Sequence, residues 1–208
     1  MGEEGQPVPE LLPEERSLPS LREAAAGCRA CGLWKRGTQT VFGEGPETAR
    51  VLMAGEQPGD QEDVAGRPFV GPAGRVLDQA LDEAGIDRSL VYVTNAVKHF
   101  KWVPRGKRRL HQRPDRDEVA ACMPWLEAEV SLIHPDVIVC LGATAAQALL
   151  GSAFRVTRQH GQVFPSTLGP PIMATVHPSS ILRALDEESR QVAMESFIAD
   201  LRQVRPYL

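Results

Sequence analysis

Four short, unbroken apolar runs punctuate this chain, and between them apolar residues recur at helical spacing. Val51–Ala54, Leu90–Thr94, Val137–Leu141 and Ile172–Val176 have the length and β-branched content of buried strands. Val76, Leu77, Ala80, Leu81 and Ala84 predict a helix from Arg75 to a glycine stop at Gly85. A second helix is expected from Asp115 to Leu132, with Pro124 predicting a kink or a break and new start. Small residues after Gly142 open a helix to about Leu150. A last helix, Asp186 to Val204, has acids in its first turn and Phe197, Ile198, Leu201 and Val204 on one face. Strands alternating with helices predict an α/β fold: a single domain built on a central, mostly parallel four-stranded sheet flanked by helices. Ligands of such sheets bind beyond the carboxyl ends of the strands. Here those ends carry Glu56-Gln57, Asn95 and His177, which converge if the sheet is parallel.

Composition adds boundaries. The first 23 residues hold six glutamates, two arginines and four prolines. That bias suits a flexible or loosely docked acidic tail over residues 1–20, with the folded domain over 21–208. No apolar run approaches the roughly 20 residues of a membrane span, and the N-terminus lacks a secretory pattern. A cytoplasmic protein is expected, and nothing demands more than a monomer.

Charge changes the picture most. The whole chain carries a net charge of -4, yet Lys98 to Arg116 holds eight lysines and arginines against one acid, Asp115. This stretch, with K-R-R-L-H-Q-R-P at Lys107–Pro114, reads as a basic loop suited to a phosphate backbone, through Lys107, Arg108, Arg109 and Arg113. Within it lies His111, whose imidazole is able to act as nucleophile or proton carrier near neutral pH. On its own, such a histidine is more often a solvated phosphate contact.

Four cysteines in a cytoplasmic chain argue against a disulfide framework. Cys28 and Cys31 form a C-x-x-C pair, with Cys122 and Cys140 far downstream. As halves of one four-thiolate site they suit zinc or an iron–sulfur cluster equally; the bland alternative leaves Cys122 and Cys140 as small buried hydrophobes.

Four motifs then occur in order: G-E-Q-P-G-D (Gly55–Asp60), G-R-P-F-V-G-P-A-G (Gly66–Gly74), T-N-A-V-K (Thr94–Lys98) and H-P-S-S-I-L-R (His177–Arg183). Together they resemble the uracil-DNA glycosylase superfamily, most closely its iron–sulfur branch, family 4, from about Cys28 to Leu201. Two departures, Gln57 in place of alanine and the K-R-R-L-H-Q-R-P insertion, are similar to the UdgX-type enzymes, which become covalently trapped on the sugar they unmask. The resemblance implies that Cys28, Cys31, Cys122 and Cys140 hold a 4Fe–4S cluster. It implies uracil-containing DNA, single-stranded or double-stranded, as partner and free uracil as product. It also implies roles: Phe69 stacks on the extruded base, Asn95 reads its N3–H and O4 edge, and His177 donates to O2, with Gly55, the main-chain N–H of Gln57 and Asp60 completing the uracil pocket. Ser179, Ser180 and Arg183 face DNA, with Arg183 either a wedge or a plain surface residue. Glu56 activates either a water or His111, and His111 is the trapping residue.

Overall fold

The computed structural model describes residues 7–208. In chain order the elements are α1 (Val8–Leu11), α2 (Leu18–Ala26), β1 (Val51–Gly55), α3 (Asp60–Ala65), α4 (Pro72–Ala84), β2 (Val91–Asn95), β3 (Trp102–Arg105), β4 (Arg108–His111), α5 (Arg116–Ile133), β5 (Val137–Leu141), α6 (Ala143–Leu150), α7 (Val156–Gln159), β6 (Val163–Phe164), β7 (Ile172–Thr175), α8 (Pro178–Leu182) and α9 (Glu187–Arg202).

The four expected strands form a parallel array in the order β2-β1-β5-β7, and the two-residue β6 adds a fifth, antiparallel edge to β7. The sheet therefore has five strands, not four. A two-residue run such as Val163-Phe164 has too little periodicity to register in the sequence. Alternate residues of the strands serve two cores. Leu52, Ala54, Tyr92, Ile138 and Cys140 face α1, α2, α5 and α6. Val51, Met53, Val91, Val93 and Val139 face α4, α8 and α9. Burial on both faces explains why the strands read as continuous apolar runs.

α5 runs unbroken through Pro124. Asp115 and Glu118 form a reciprocal capping box at its start, and Cys122, Trp125 and Leu126 are buried on either side of the proline. Cap and packing together hold the helix on course against one missing hydrogen bond.

Of the expected acidic tail, residues 1–6 lie outside the described residues. From residue 7 the chain is anchored at two buried points, Val8 and Leu18, while Pro9, Glu10 and Glu14 to Ser17 are exposed, and Ser17 caps α2 in a reciprocal bond with Ser20. Pro9 and Pro19 each lie in the first turn of a helix, α1 and α2. Among the described residues no helix is long and apolar enough to cross a membrane.

The basic loop is a β-hairpin. β3 and β4 pair antiparallel with Trp102 opposite His111 and Arg105 opposite Arg108. Gly106, at φ 59°, makes the tight reversal beside Lys107. Strong charge conceals this hairpin in the sequence, because Arg and Lys replace the usual alternation.

Candidate functional site

Parallel pairing places Gly55 beside Asn95, and the next strand ends lead into Gly142 and His177. These ends open into a cavity of about 750 Å³ lined by Glu56, Gln57, Asp60, Phe69, Asn95, His111, Arg113, Thr144, His177, Ser179 and Arg183. The three expected strand ends and the hairpin histidine thus share one space.

The floor is shaped by absent side chains. A Cβ on Gly55 would lie 2.5 Å from Asn95 Oδ1 and 2.9 Å from Phe69 Cζ. Gly55 therefore makes room for the two groups expected to hold a base. Phe69 adopts a positive φ of 55°, and its carbonyl occupies the place a Cβ on Gly74 would take, 1.6 Å away. A bulky residue in that backbone region is held there only by its surroundings. Glu62 helps by accepting the Gly71 N–H at 2.7 Å, which ties the Phe69 loop to α3. Asn95 is buried, and its main-chain carbonyl accepts from Lys98 Nζ at 2.9 Å. That ammonium is itself enclosed, 2.6 Å from Glu129, which also accepts from Tyr92, Thr94 and the Gly43 N–H.

His177 sits at the N-terminus of α8, where its Nδ1 accepts from the Ser179 N–H at 3.2 Å and meets Ser179 Oγ at 2.9 Å. An accepting Nδ1 leaves Nε2 to carry the ring proton. Burial pushes the His177 pKa down to about 4, the nearby Glu56 charge opposing this and Arg183 adding to it. A neutral donor results, suited to negative charge developing on a leaving base.

Glu56 and His111 face each other across the cavity mouth, with His111 Nε2 3.2 Å from Glu56 Oε1. The second oxygen, Oε2, accepts the Thr144 hydroxyl. Burial alone would raise the Glu56 carboxyl; the bonds from His111 and Thr144, with the charges of His111 and His177, outweigh it and hold the group below its ordinary value.

The Gln57 side chain holds the neck of the hairpin: its amide donates to the Lys101 and Gln112 carbonyls and accepts from the Lys101 N–H, bonds that do not involve its own main-chain N–H. Other expected roles are redistributed. Arg109, expected on DNA, points inward. It binds Asp60 and Asp63 at 2.5 Å each and lies over the Phe100 and Trp102 rings. The Asp60 carboxylate is thereby taken, although Asp60 still lines the cavity. Lys98 is internal, and Lys101, partly exposed, is paired with Asp115 and Glu118. The outward cations of the hairpin are Arg105, Lys107 and Arg108. Arg113 is half-exposed beside Thr144 and Gln147, and Arg183 bonds Ser179 Oγ at 2.9 Å on the rim. Ser180 donates to the His177 carbonyl.

Thr144 is a functional residue that sequence reasoning misses. Its only signal is the small-residue turn Gly142-Ala-Thr after a buried strand, which marks a helix start but not a partner for Glu56. The Arg109 clamp has a fainter signal, two aspartates three apart in the turn that forms α3.

The cysteines do not meet expectation as a set. Cys28, Cys31 and Cys122 are neighbours, each of the first two adding to the burial that raises the Cys122 thiol to about 12. Cys28 Sγ accepts from Trp125 Nε1 and Cys122 Sγ from the Lys98 N–H. Cys140 lies within β5 between Ala54 and Ala174, and burial alone raises it, with no contribution from another thiol. Among the described residues no three His, Cys, Asp or Glu side chains form a metal-holding group. A four-thiolate cradle does not fit this arrangement, and Cys140 belongs to the sheet core.

The family model "Uracil DNA glycosylase superfamily" matches residues 42–202. The chain is 38% identical over 186 residues to a type-4 uracil-DNA glycosylase of Thermotoga maritima, covering 89% of this chain and 93% of that one. It is 33% identical to the type-4 enzyme of Sulfurisphaera tokodaii, over 87% and 82% of the two chains. A type-5 uracil-DNA glycosylase of Thermus thermophilus is 34% identical over 67% of this chain and 68% of its own length. With its motifs gathered around one cavity, a family model over residues 42–202 and type-4 relatives matched over 93% and 82% of their length, this chain belongs to the uracil-DNA glycosylase superfamily.

Proposed function

We propose that the protein cleaves the N-glycosidic bond of uracil in DNA and ends covalently attached through His111 to the anomeric carbon of the sugar. Asn95, Phe69 and His177 supply the excision: an amide for the uracil edge, an aromatic wall, and a neutral donor for the departing base. The C1′–N1 bond breaks with its electron pair going to uracil, whose negative charge His177 stabilises. Trapping begins as the ring proton on His111 Nε2 passes to Glu56 Oε1. The freed Nε2 lone pair forms the bond to the cationic anomeric carbon. The product is an alkylated imidazole with no good leaving group. A tethered imidazole outcompetes water because its effective molarity reaches about 10⁵ M or more.

The observation that carries this reading is the 3.2 Å approach of His111 Nε2 to Glu56 Oε1 at the mouth of the cavity. A His111→Ser variant is expected to release abasic DNA with turnover, leaving no band resistant to SDS and heat. An adduct that persists in His111→Ser would overturn the assignment of the nucleophile.

Lys107, Arg108 and Arg113 contact the phosphate backbone in this reading, with Ser179, Ser180 and Arg183 on the opposite rim; Arg109 is withdrawn from that role. Single-stranded uracil DNA is an adequate substrate, since no base pair has to open, and the duplex is a second one. The protein acts as a cytoplasmic monomer. The 4Fe–4S cluster implied by the resemblance is supported only by the neighbouring Cys28, Cys31 and Cys122. Iron and sulfide analysis of freshly purified protein tests it, and Cys140→Ser is expected to leave the iron content unaltered.

A further inference from the structure

We propose that Thr144 is a positioning residue that apportions the two oxygens of Glu56 and thereby sets the choice between capture of the sugar by His111 and by water; this rests on the reading above. Thr144 lies in the first turn of α6, immediately beyond the end of β5, and is 6% exposed. Its hydroxyl oxygen accepts from Arg113 Nε at 3.1 Å. With Arg113 directed at the oxygen, the hydroxyl proton is free to point toward Glu56 Oε2, where the bond is found. Oε1 is then left for the ring nitrogen of His111 at 3.2 Å. The order Arg113–Thr144–Glu56–His111 gives the carboxylate one rotation out of many.

Among the described residues, the charged and titratable groups that act on Glu56 include His111 from β4, Arg113 from the hairpin's return and His177 from the end of β7, and α6 contributes the Thr144 hydroxyl. Without the Thr144 hydroxyl, Arg113 Nε, 3.9 Å from Oε2, becomes the alternative partner and draws the carboxylate away from His111. Either oxygen is then open to water. Thr144→Val removes the hydroxyl at nearly constant shape, whereas Thr144→Ser keeps it.

The test mixes each protein with a uracil-containing single-stranded oligonucleotide and measures adduct and free abasic DNA separately across pH. Thr144→Val is expected to lower the adduct-to-abasic ratio about tenfold, the scale of one lost hydrogen bond to a charged group. Its acid limb should move to higher pH, because one of the bonds holding the Glu56 proton off is gone. Thr144→Ser should restore both ratio and limb. A Thr144→Val protein with wild-type ratio and wild-type acid limb would overturn the proposal. If the wild type forms no adduct, the trapping reading fails by itself. The acid limb of excision then decides on Thr144: a shift in Val but not in Ser sustains its hold on Glu56, and equal limbs reject it.

Discussion

Asn95 and His177 stand at the ends of buried parallel strands, while His111 stands on a two-stranded hairpin outside the sheet. The first pair inherits its position from the main core: the strand residues before it are fully enclosed, and glycines clear space for the rings. The hairpin has no core of its own. It is held by Gln57 at its neck, by Arg109 between Asp60 and Asp63, by Trp102 Nε1 on the Arg36 carbonyl, and by Lys101 on α5. One half of the site is placed by apolar burial and the other by directed polar bonds. The proposed trapping therefore rests on a structural support separable from that of excision.

The comparison breaks most clearly at the sheet ends. Asn95→Leu and His177→Ala are each expected to lower the single-turnover excision rate by about 10² to 10³, as loss of a donor at a developing anion does elsewhere. If excision survives either change, the cavity floor is misassigned. Next comes the clamp. Arg109→Ala should reduce adduct yield considerably more than it reduces excision, because it unfastens the hairpin while leaving the sheet ends alone. Equal loss of both, measured on one gel, would show that the two halves are a single unit.

Stability offers a third contrast. Glu129→Ala leaves the Lys98 ammonium enclosed without its partner, at a cost of about 3–5 kcal/mol in denaturant unfolding. Since Lys98 also holds the Asn95 carbonyl, excision should fall with it. pH dependence follows from His177. The unfolded histidine takes a proton below its ordinary 6.5, whereas the folded one resists until about 4. The unfolded state then binds more protons in that window, so stability falls as pH drops from 6.5 to 4, by at most about 3 kcal/mol. His177→Gln should flatten that slope in urea titrations at several pH values. The smallest effect is expected on the outer face of the hairpin. Lys107→Ala or Arg108→Ala should each weaken DNA binding uniformly across sequences and lower the salt slope by about one.

The same contrast explains what is legible in the sequence. Strands buried on both faces announce themselves as apolar runs, and the polar residues that end them, Glu56, Asn95 and His177, stand out by contrast. The hairpin is legible as charge and as a family insertion, yet its architecture is not, because Arg109 looks like a DNA contact until its partners Asp60 and Asp63 are seen. Place reverses the meaning of a charge: Lys98 belongs to the basic stretch by count and to the interior by burial, and Arg109 is taken up by ion pairs with Asp60 and Asp63. Thr144 is illegible for a similar reason, since a hydroxyl in a small-residue turn carries no sign of the carboxylate it will meet. Cys140 shows the opposite error. The family pattern draws this cysteine into a cluster, while its position between Ala54 and Ala174 is that of a small core residue.

The most direct measurement is peptide mass mapping of the protein after reaction with a uracil-containing oligonucleotide and denaturing gel isolation. One shifted, heat-stable band is expected, with a deoxyribose-derived mass increment that maps to His111. Quantitative release of uracil with abasic DNA free of protein, or an adduct on any other residue, would contradict it.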